Sequence, residues 1–99
     1  MEAAALNRLN ALIHERARLG IMSALAARGP ALFTELKALL DMTDGNLSVH
    51  LRVLEEADYV SIEKRFVGRR PQTAVRLSRK GRLAFEHYVE ALEEIVRRK

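Results

Sequence analysis

Gly45, Ser48, Val49, Arg52 and Glu56 share one face of a helix if the chain turns by about 100° per residue, with Leu47, Leu51 and Leu54 on the opposite face. The outward set is small or polar near its start, carries one cation behind, and can give and accept hydrogen bonds. That is the chemistry of recognition, and a face this thin suits a groove about 12 Å wide, such as the major groove of a duplex. Bond-breaking chemistry has no comparable support. No nucleophile stands beside a partnered base, no glycine loop could cradle a phosphate, and His14, His50 and His87 lack the spacing of metal ligands. No enzyme activity, cofactor or metal site is therefore expected. The chain has no cysteine, which excludes disulfides, thiolate sensing and zinc ribbons, and fits a reducing compartment.

A second group is cationic. Residues 61–82 carry Lys64, Arg65, Arg69, Arg70, Arg76, Arg79, Lys80 and Arg82 against Glu63 alone, a local +7 in a chain of net charge +4. The other residues then sum to −3, and a basic stretch on a mildly acidic body is the footprint of a polyanion binder. Aromatic residues are only 5% of the chain, too few for a platform that stacks single strands, which leaves a duplex as the expected polyanion.

The elements that must hold these groups follow from periodicity. A chain of 99 residues makes one domain with a modest core that dimerisation would help to stabilise. Leu6, Leu9, Ile13, Ala17, Ile21 and Leu25 predict one long helix from about Ala3 to Ala27, ended by Arg28-Gly29-Pro30. Ala31-Leu32-Phe33 reads either as one bridge of strand or as a packed connection. Thr34 can cap a short helix from Glu35 to Leu40, and after a turn at Asp41-Met42, Thr43 can cap the next, which runs to about Ala57. Two short helices on a tight turn make a helix-turn-helix over 34–57. Val60 to Phe66 and Thr73 to Leu77 alternate as strands, and Val67–Gln72 between them forms a basic tip, so 60–77 is a hairpin, a wing. Ser78 can cap a last helix from Arg79 to about Arg97, with acids early and midway and bases at Arg97-Arg98-Lys99, as the helix dipole prefers.

That last helix carries Phe85, Tyr88 or Val89, Leu92, and Ile95 or Val96 as an a/d-like seam, with Phe85, Tyr88, Leu92 and Ile95 as its leading members. Leu6 and Leu9 open the first helix with few partners in so short a chain. Both features predict a surface shared between two copies, the alternative being docking of the last helix onto its own domain. Met1 is followed by an acidic, alanine-rich helical pattern rather than a signal peptide, and no apolar run approaches a membrane span, so a cytoplasmic location is expected.

Five fragments in order carry a resemblance: Thr43-Asp44-Gly45-Asn46-Leu47-Ser48-Val49-His50-Leu51, Leu54-Glu55-Glu56-Ala57-Asp58-Tyr59-Val60, Lys64-Arg65-Phe66, Gly68-Arg69-Arg70-Pro71 and Leu77-Ser78-Arg79-Lys80-Gly81. Together they resemble the winged helix-turn-helix transcriptional regulators of bacteria and archaea, the MarR/ArsR-type superfamily, and the small single-domain members most of all. The resemblance implies a mainly α fold with a small β-hairpin (α+β): a three-helix core, a wing and a long C-terminal helix in one domain over 1–99. It implies a homodimeric, sequence-specific regulator of transcription, by family habit a repressor. The helix from Asp44 would enter the major groove of double-stranded DNA, and the wing would touch the adjacent minor groove or backbone. By position, Thr43, Asn46, Ser48, Val49 and Arg52 are the helix candidates, and Lys64, Arg65, Arg69 and Arg70 those of the wing. His50 matches a family histidine on the flank of the apolar face, which leaves a phosphate contact and a packed, hydrogen-bonded role both open. Asp58 stands where relatives often carry glycine, and aspartate tolerates the left-handed backbone better than most residues. The metal-sensing relatives use cysteines or clustered histidines and acids, a pattern this sequence lacks. A small-molecule effector is left open and unidentified. The rival reading is a winged-helix adaptor for another protein, which would have no need of the concentrated charge in the hairpin region.

Overall fold

Leu47, Leu51 and Leu54 are all buried, so the central helix is pinned on the side its periodicity predicts. A computed structural model describes residues 3–97 of the chain. The elements in order are α1 (Ala3–Asn7), α2 (Arg16–Arg28), β1 (Ala31–Leu32), α3 (Phe33–Leu40), α4 (Asp44–Glu56), β2 (Val60–Val67), β3 (Arg70–Leu77) and α5 (Arg79–Val96). Ile21, Met22 and Leu25 of α2, Leu36 of α3 and the three leucines of α4 form one core with Val60, Val75, Tyr59 and Tyr88. The short apolar segment after Pro30 is a strand: Ala31 pairs with Val75 and Leu32 with Ala74. That makes a three-stranded antiparallel sheet in the order β1-β3-β2. The fold is a mainly α winged helix-turn-helix, as expected.

The expected long first helix is instead two helices. Asn10 breaks it: its Oδ1 accepts from the N–H groups of Leu12 and Ile13, and its Nδ2 donates to the Tyr59 hydroxyl at 2.7 Å. An asparagine that bonds its own backbone competes with the helix ladder, and here a tertiary partner holds it in that state. The apolar spacing persists through the break, and Ile13 is still fully buried. Glu15 then caps α2 by accepting from Arg18 N–H at 2.8 Å.

The other boundaries differ less. α3 starts at Phe33 without a side-chain cap from Thr34; the carboxylate of Glu35 instead accepts from the N–H of Leu32. Thr43 and Ser78 cap α4 and α5 as expected, accepting from Asn46 N–H and Gly81 N–H. Asp58 takes the left-handed conformation foreseen for it, and Asp41 does the same at the end of α3. The strands extend further than predicted, leaving Gly68 and Arg69 as the turn between Val67 and Arg70. Gly68 has φ +65°, and a positive φ at only the first of two turn residues is the pattern of a type II′ hairpin. Pro71 is tolerated because the pair it forms with Phe66 is the first beyond the closing pair, where strand N–H groups point out of the ladder.

α5 differs in charge and in what it covers. Its first turn holds Arg79, Lys80 and Arg82 and no acid, against the dipole match expected at that end, while Arg97 stands at the C-cap as expected. Arg98 and Lys99, the rest of the expected basic end, lie outside the described residues. Tyr88 is 1% exposed within its own chain, which takes it out of any surface offered to a second copy. Its hydroxyl, which burial keeps protonated by raising its pKa, lies 2.7 Å from His14 Nδ1. α1 packs on α5, where Arg8 pairs with Glu94 and Ala5 is buried. The molecule is drawn out to 56 × 25 × 21 Å, with a radius of gyration of 14.8 Å. A compact chain of this length has a radius of about 13 Å.

Candidate nucleic-acid interface

The outward face of α4 is open along its length. Thr43, Asn46, Ser48 and Arg52 are exposed, as is Val49. Buried leucines behind fix the helix's rotation, and an ion pair between Lys37 and Asp44 (2.9 Å) ties its first turn to α3. Thr43 already spends one hydroxyl lone pair on its cap.

The hairpin stands beside this face. Side chains alternate along a strand, so Val60, Ile62, Lys64 and Phe66 share one face with their cross-strand partners Leu77, Val75, Thr73 and Pro71. Val60 and Val75 are buried at the root of that face, while Lys64 and Phe66 are exposed further out. Between α4 and this face lies a groove lined by Asp44, Ser48, Arg52, Ile62, Lys64 and Thr73, among others. Ser48, Arg52 and Lys64, distant in sequence, thus meet at one opening. Arg65 lies on the other face of the hairpin, 3.4 Å from Glu63. Arg69 is at the turn, and Arg70 lines a second groove that runs along β3 to Phe33 and Thr34 at the start of α3. The ten candidates therefore do not make one patch. Reading the sequence missed Thr73 as a lining residue of this groove, which strand alternation could have flagged once the register of the hairpin was known.

His50 turns toward its own chain. It is half-buried, with Nδ1 3.0 Å from Arg18 Nη1 and 3.7 Å from Glu15 Oε1. Arg18 also donates from Nε to the Leu12 carbonyl, so this cluster joins the broken first helix to α4. The Glu15 carboxyl is held below the usual carboxylate range, chiefly by the Arg18 N–H it accepts, with burial opposing. A carboxyl lowered by folding adds stability above its unfolded pKa and loses it as pH falls through the folded value. Acid titration of unfolding should therefore show the wild type losing a contribution that Glu15→Gln lacks throughout; equal acid slopes would remove Glu15 from the account.

Among the described residues no group of three or more His, Cys, Asp or Glu is arranged to hold a metal ion. None of the described helices is long and apolar enough to cross a membrane.

A helix-turn-helix followed by a cationic β-hairpin defines a winged helix. A profile of the winged helix DNA-binding domain matches residues 17–96, and the chain belongs to that family. The structure of a transcriptional regulator homologue from Pyrococcus horikoshii superposes with a TM-score of 0.87 at 30% identity, over 94% of each chain. AbfR bound to DNA, in its overoxidised form, has the same fold at a TM-score of 0.78 and 20% identity, over 92% of this chain and 66% of that one. An uncharacterised protein of Methanocaldococcus jannaschii is 42% identical over 57 residues, 58% of this chain and 62% of that protein. The chain thus matches less than two thirds of that relative's length.

Proposed function

We propose that this protein is a homodimeric regulator of transcription that binds double-stranded DNA in the cytoplasm, by family habit as a repressor. One domain over 1–99 would hold the helix-turn-helix at 34–57, the wing at 60–77 and a dimerising helix at 79–97. α4 reads base edges in the major groove through Asn46, Ser48, Val49 and Arg52. The wing meets phosphates or the minor groove through Lys64, Arg65, Arg69 and Arg70. Thr43 and His50 serve mainly to set the helix, one as its cap and the other through Arg18. The observation that carries this reading is the shared opening of Ser48, Arg52 and Lys64, which puts a thin hydrogen-bonding helix beside a rigid cationic hairpin. Membership of a DNA-binding family supports it.

The second copy is inferred from α5. Phe85, Val89, Leu92 and Val96 recur at i, i+4, i+7 and i+11 on a flank that α5's own chain leaves partly open, with Val96 69% exposed. Of the alternatives the predicted seam left open, Val89 and Val96 would carry it, because Tyr88 is spent on the core. Of the predicted first-helix pair, Leu6 is exposed, while Leu9, like Phe85, Val89 and Leu92, is partly buried against the core.

The test is a salt titration of binding to genomic target and random duplexes. Arg69→Ala or Arg70→Ala should weaken binding to both DNAs by similar factors and flatten the log–log salt slope by roughly 0.9 for each phosphate no longer neutralised. Arg52→Ala should instead narrow the gap between target and random DNA, by about 1–3 kcal/mol for each bidentate pairing with a base that it removes. Wing variants that lose only target preference, or a silent Arg52→Ala, would reverse these roles. A wild type that shifts no duplex at low salt would favour the adaptor reading.

A further inference from the structure

The hairpin carries a residue that neither the core nor the cationic contacts explain. Phe66 is 74% exposed, more than any other large hydrophobic residue described. Nothing in the core requires it, since the side chains that bury the sheet on that face, Val60 and Val75, sit at its root. We propose that Phe66 is an apolar wedge that enters the minor groove beside the wing and partly unstacks a base step, so that the protein kinks the DNA it binds. The inference rests on the DNA-binding reading above and adds to it a site and a deformation.

Three observations carry it. The first is direction. Phe66 stands on the same face of the hairpin as Ile62, Lys64 and Thr73, three residues that line the groove beside Ser48 and Arg52. Whatever α4 docks against is therefore also what that face of the hairpin meets. The second is reach. From Ile62 to Phe66 the strand advances four residues, about 13 Å at the usual rise. That matches the width of a major groove, about 12 Å. With α4 in the groove, the hairpin crosses the flanking phosphates and brings Phe66 to the minor groove beyond.

The third observation is the pairing of an apolar side chain with fixed cations. Lys64, Arg65, Arg69 and Arg70 surround Phe66 in the sequence of the hairpin, and Glu63 is the one acid in β2 and β3. A second copy of this wing would bring like charges together. Duplex DNA offers what the patch needs, a slot between stacked bases with a phosphate row on either side. Phenylalanine is among the side chains that open base steps in this way, and the resulting kinks turn the duplex toward the major groove, here toward α4. The support is also stiff. β2 and β3 stay paired up to the two-residue turn, and Phe66 is backed across the ladder by Pro71. An unstacking wedge works only if its mount does not yield.

The inference also assigns sequence preference to positions that no side chain reads. Steps that unstack easily, TA and CA/TG, should be favoured under each wing.

The experiment is ligase-catalysed ring closure of duplexes shorter than the persistence length of about 150 base pairs, which close slowly unless bent. The full chain is added at low salt, and duplex affinity is measured in parallel by mobility shift. The wild type should speed closure, and Phe66→Ala should lose that effect on the order of tenfold at protein levels that still saturate the DNA. Phe66→Leu, which keeps an apolar wedge, should retain most of it. Because Phe66 lies outside the core, the melting temperatures of both variants should match the wild type and exclude a folding defect. Equal ring closure by wild type and Phe66→Ala would overturn the wedge. A wild type that binds duplex without speeding closure would also overturn it while leaving the DNA reading intact. If the wild type binds no duplex at all, the DNA reading fails and the wedge with it. A change in sedimenting mass on Phe66→Ala would move the residue to a contact between copies, and binding to phosphatidylglycerol vesicles that depends on Phe66 would move it to a lipid surface; either result refutes the wedge.

Discussion

Replacing Val89 and Val96 together by glutamate is expected to leave the fold intact, convert the protein to an 11.2 kDa monomer and cut its affinity for DNA by about 10²–10⁴-fold. Val96 is 69% exposed, so a carboxylate there stays in water in the free chain; Val89 is half-buried against the core, and the longer glutamate reaches water past its open side, which the melting temperature of the double variant checks. In a dimer they would be driven into an apolar stripe already flanked by Glu86, Glu90 and Glu93, where desolvation and like-charge repulsion oppose association. The loss on DNA follows because two linked modules bind a pair of half-sites with a high effective concentration for the second, an advantage one module lacks. Sedimentation equilibrium and mobility shift on the same samples make the comparison. A double variant that sediments and binds like the wild type would rule out this stripe as the dimer seam. Truncating α5 is a poorer test, because Tyr88 and Ala91 belong to the chain's own buried interior and their loss would unfold it.

Gly81→Ala should be the most damaging single methyl in the protein. Gly81 is in the first turn of α5, against the backbone of the turn that follows α4. A Cβ built there falls 2.8 Å from the carbonyl carbon of Tyr59 and 2.9 Å from its Cα, and closer still to its carbonyl oxygen. Backbone cannot swing aside as a flexible side chain can. The segment is also stitched in place, with Ser78 donating from its N–H to the Tyr59 carbonyl and from its hydroxyl to the Asp58 carbonyl. The cost should reach or exceed the upper end of the usual range of about 1–3 kcal/mol for overpacking. For a domain of this size, about 3 kcal/mol corresponds to a fall of roughly 12–24 °C in Tm. Gly45→Ala is the control: nothing lies within 4 Å of its Cβ position, and removing a helical glycine should stabilise by up to about 1 kcal/mol. Thermal unfolding of both variants checks the contrast. A Gly81→Ala protein that melts within a few degrees of the wild type would show that α5 can shift off Tyr59 at little cost.

Local rules are enough for much of this molecule. The face of α4, its Thr43 cap, the Ser78 cap of α5, the left-handed Asp58 and the stop at Gly29 depend on side-chain period and on groups within four residues, so the sequence alone determined them. So did the accumulation of positive charge over 61–82, which needs no geometry. The tertiary structure decided what depends on partners distant in the chain. Asn10 breaks a helix whose apolar period runs on unbroken, because the hydroxyl of Tyr59 is there to hold its side chain. Tyr88, one of two alternatives for its place in the predicted seam, is drawn into the core by packing that includes His14, while Val96 at the far end of α5 is left 69% exposed. Strand ends escape local rules for a related reason: Pro71 and the arginines read locally as loop, yet the two-residue turn at Gly68 sets a register in which a proline loses no ladder bond. That register is also what turns Lys64 and Phe66 to the side of Ser48 and Arg52. Period determines which side chains share a face, but only the packing of hairpin against helix decides what that face looks onto.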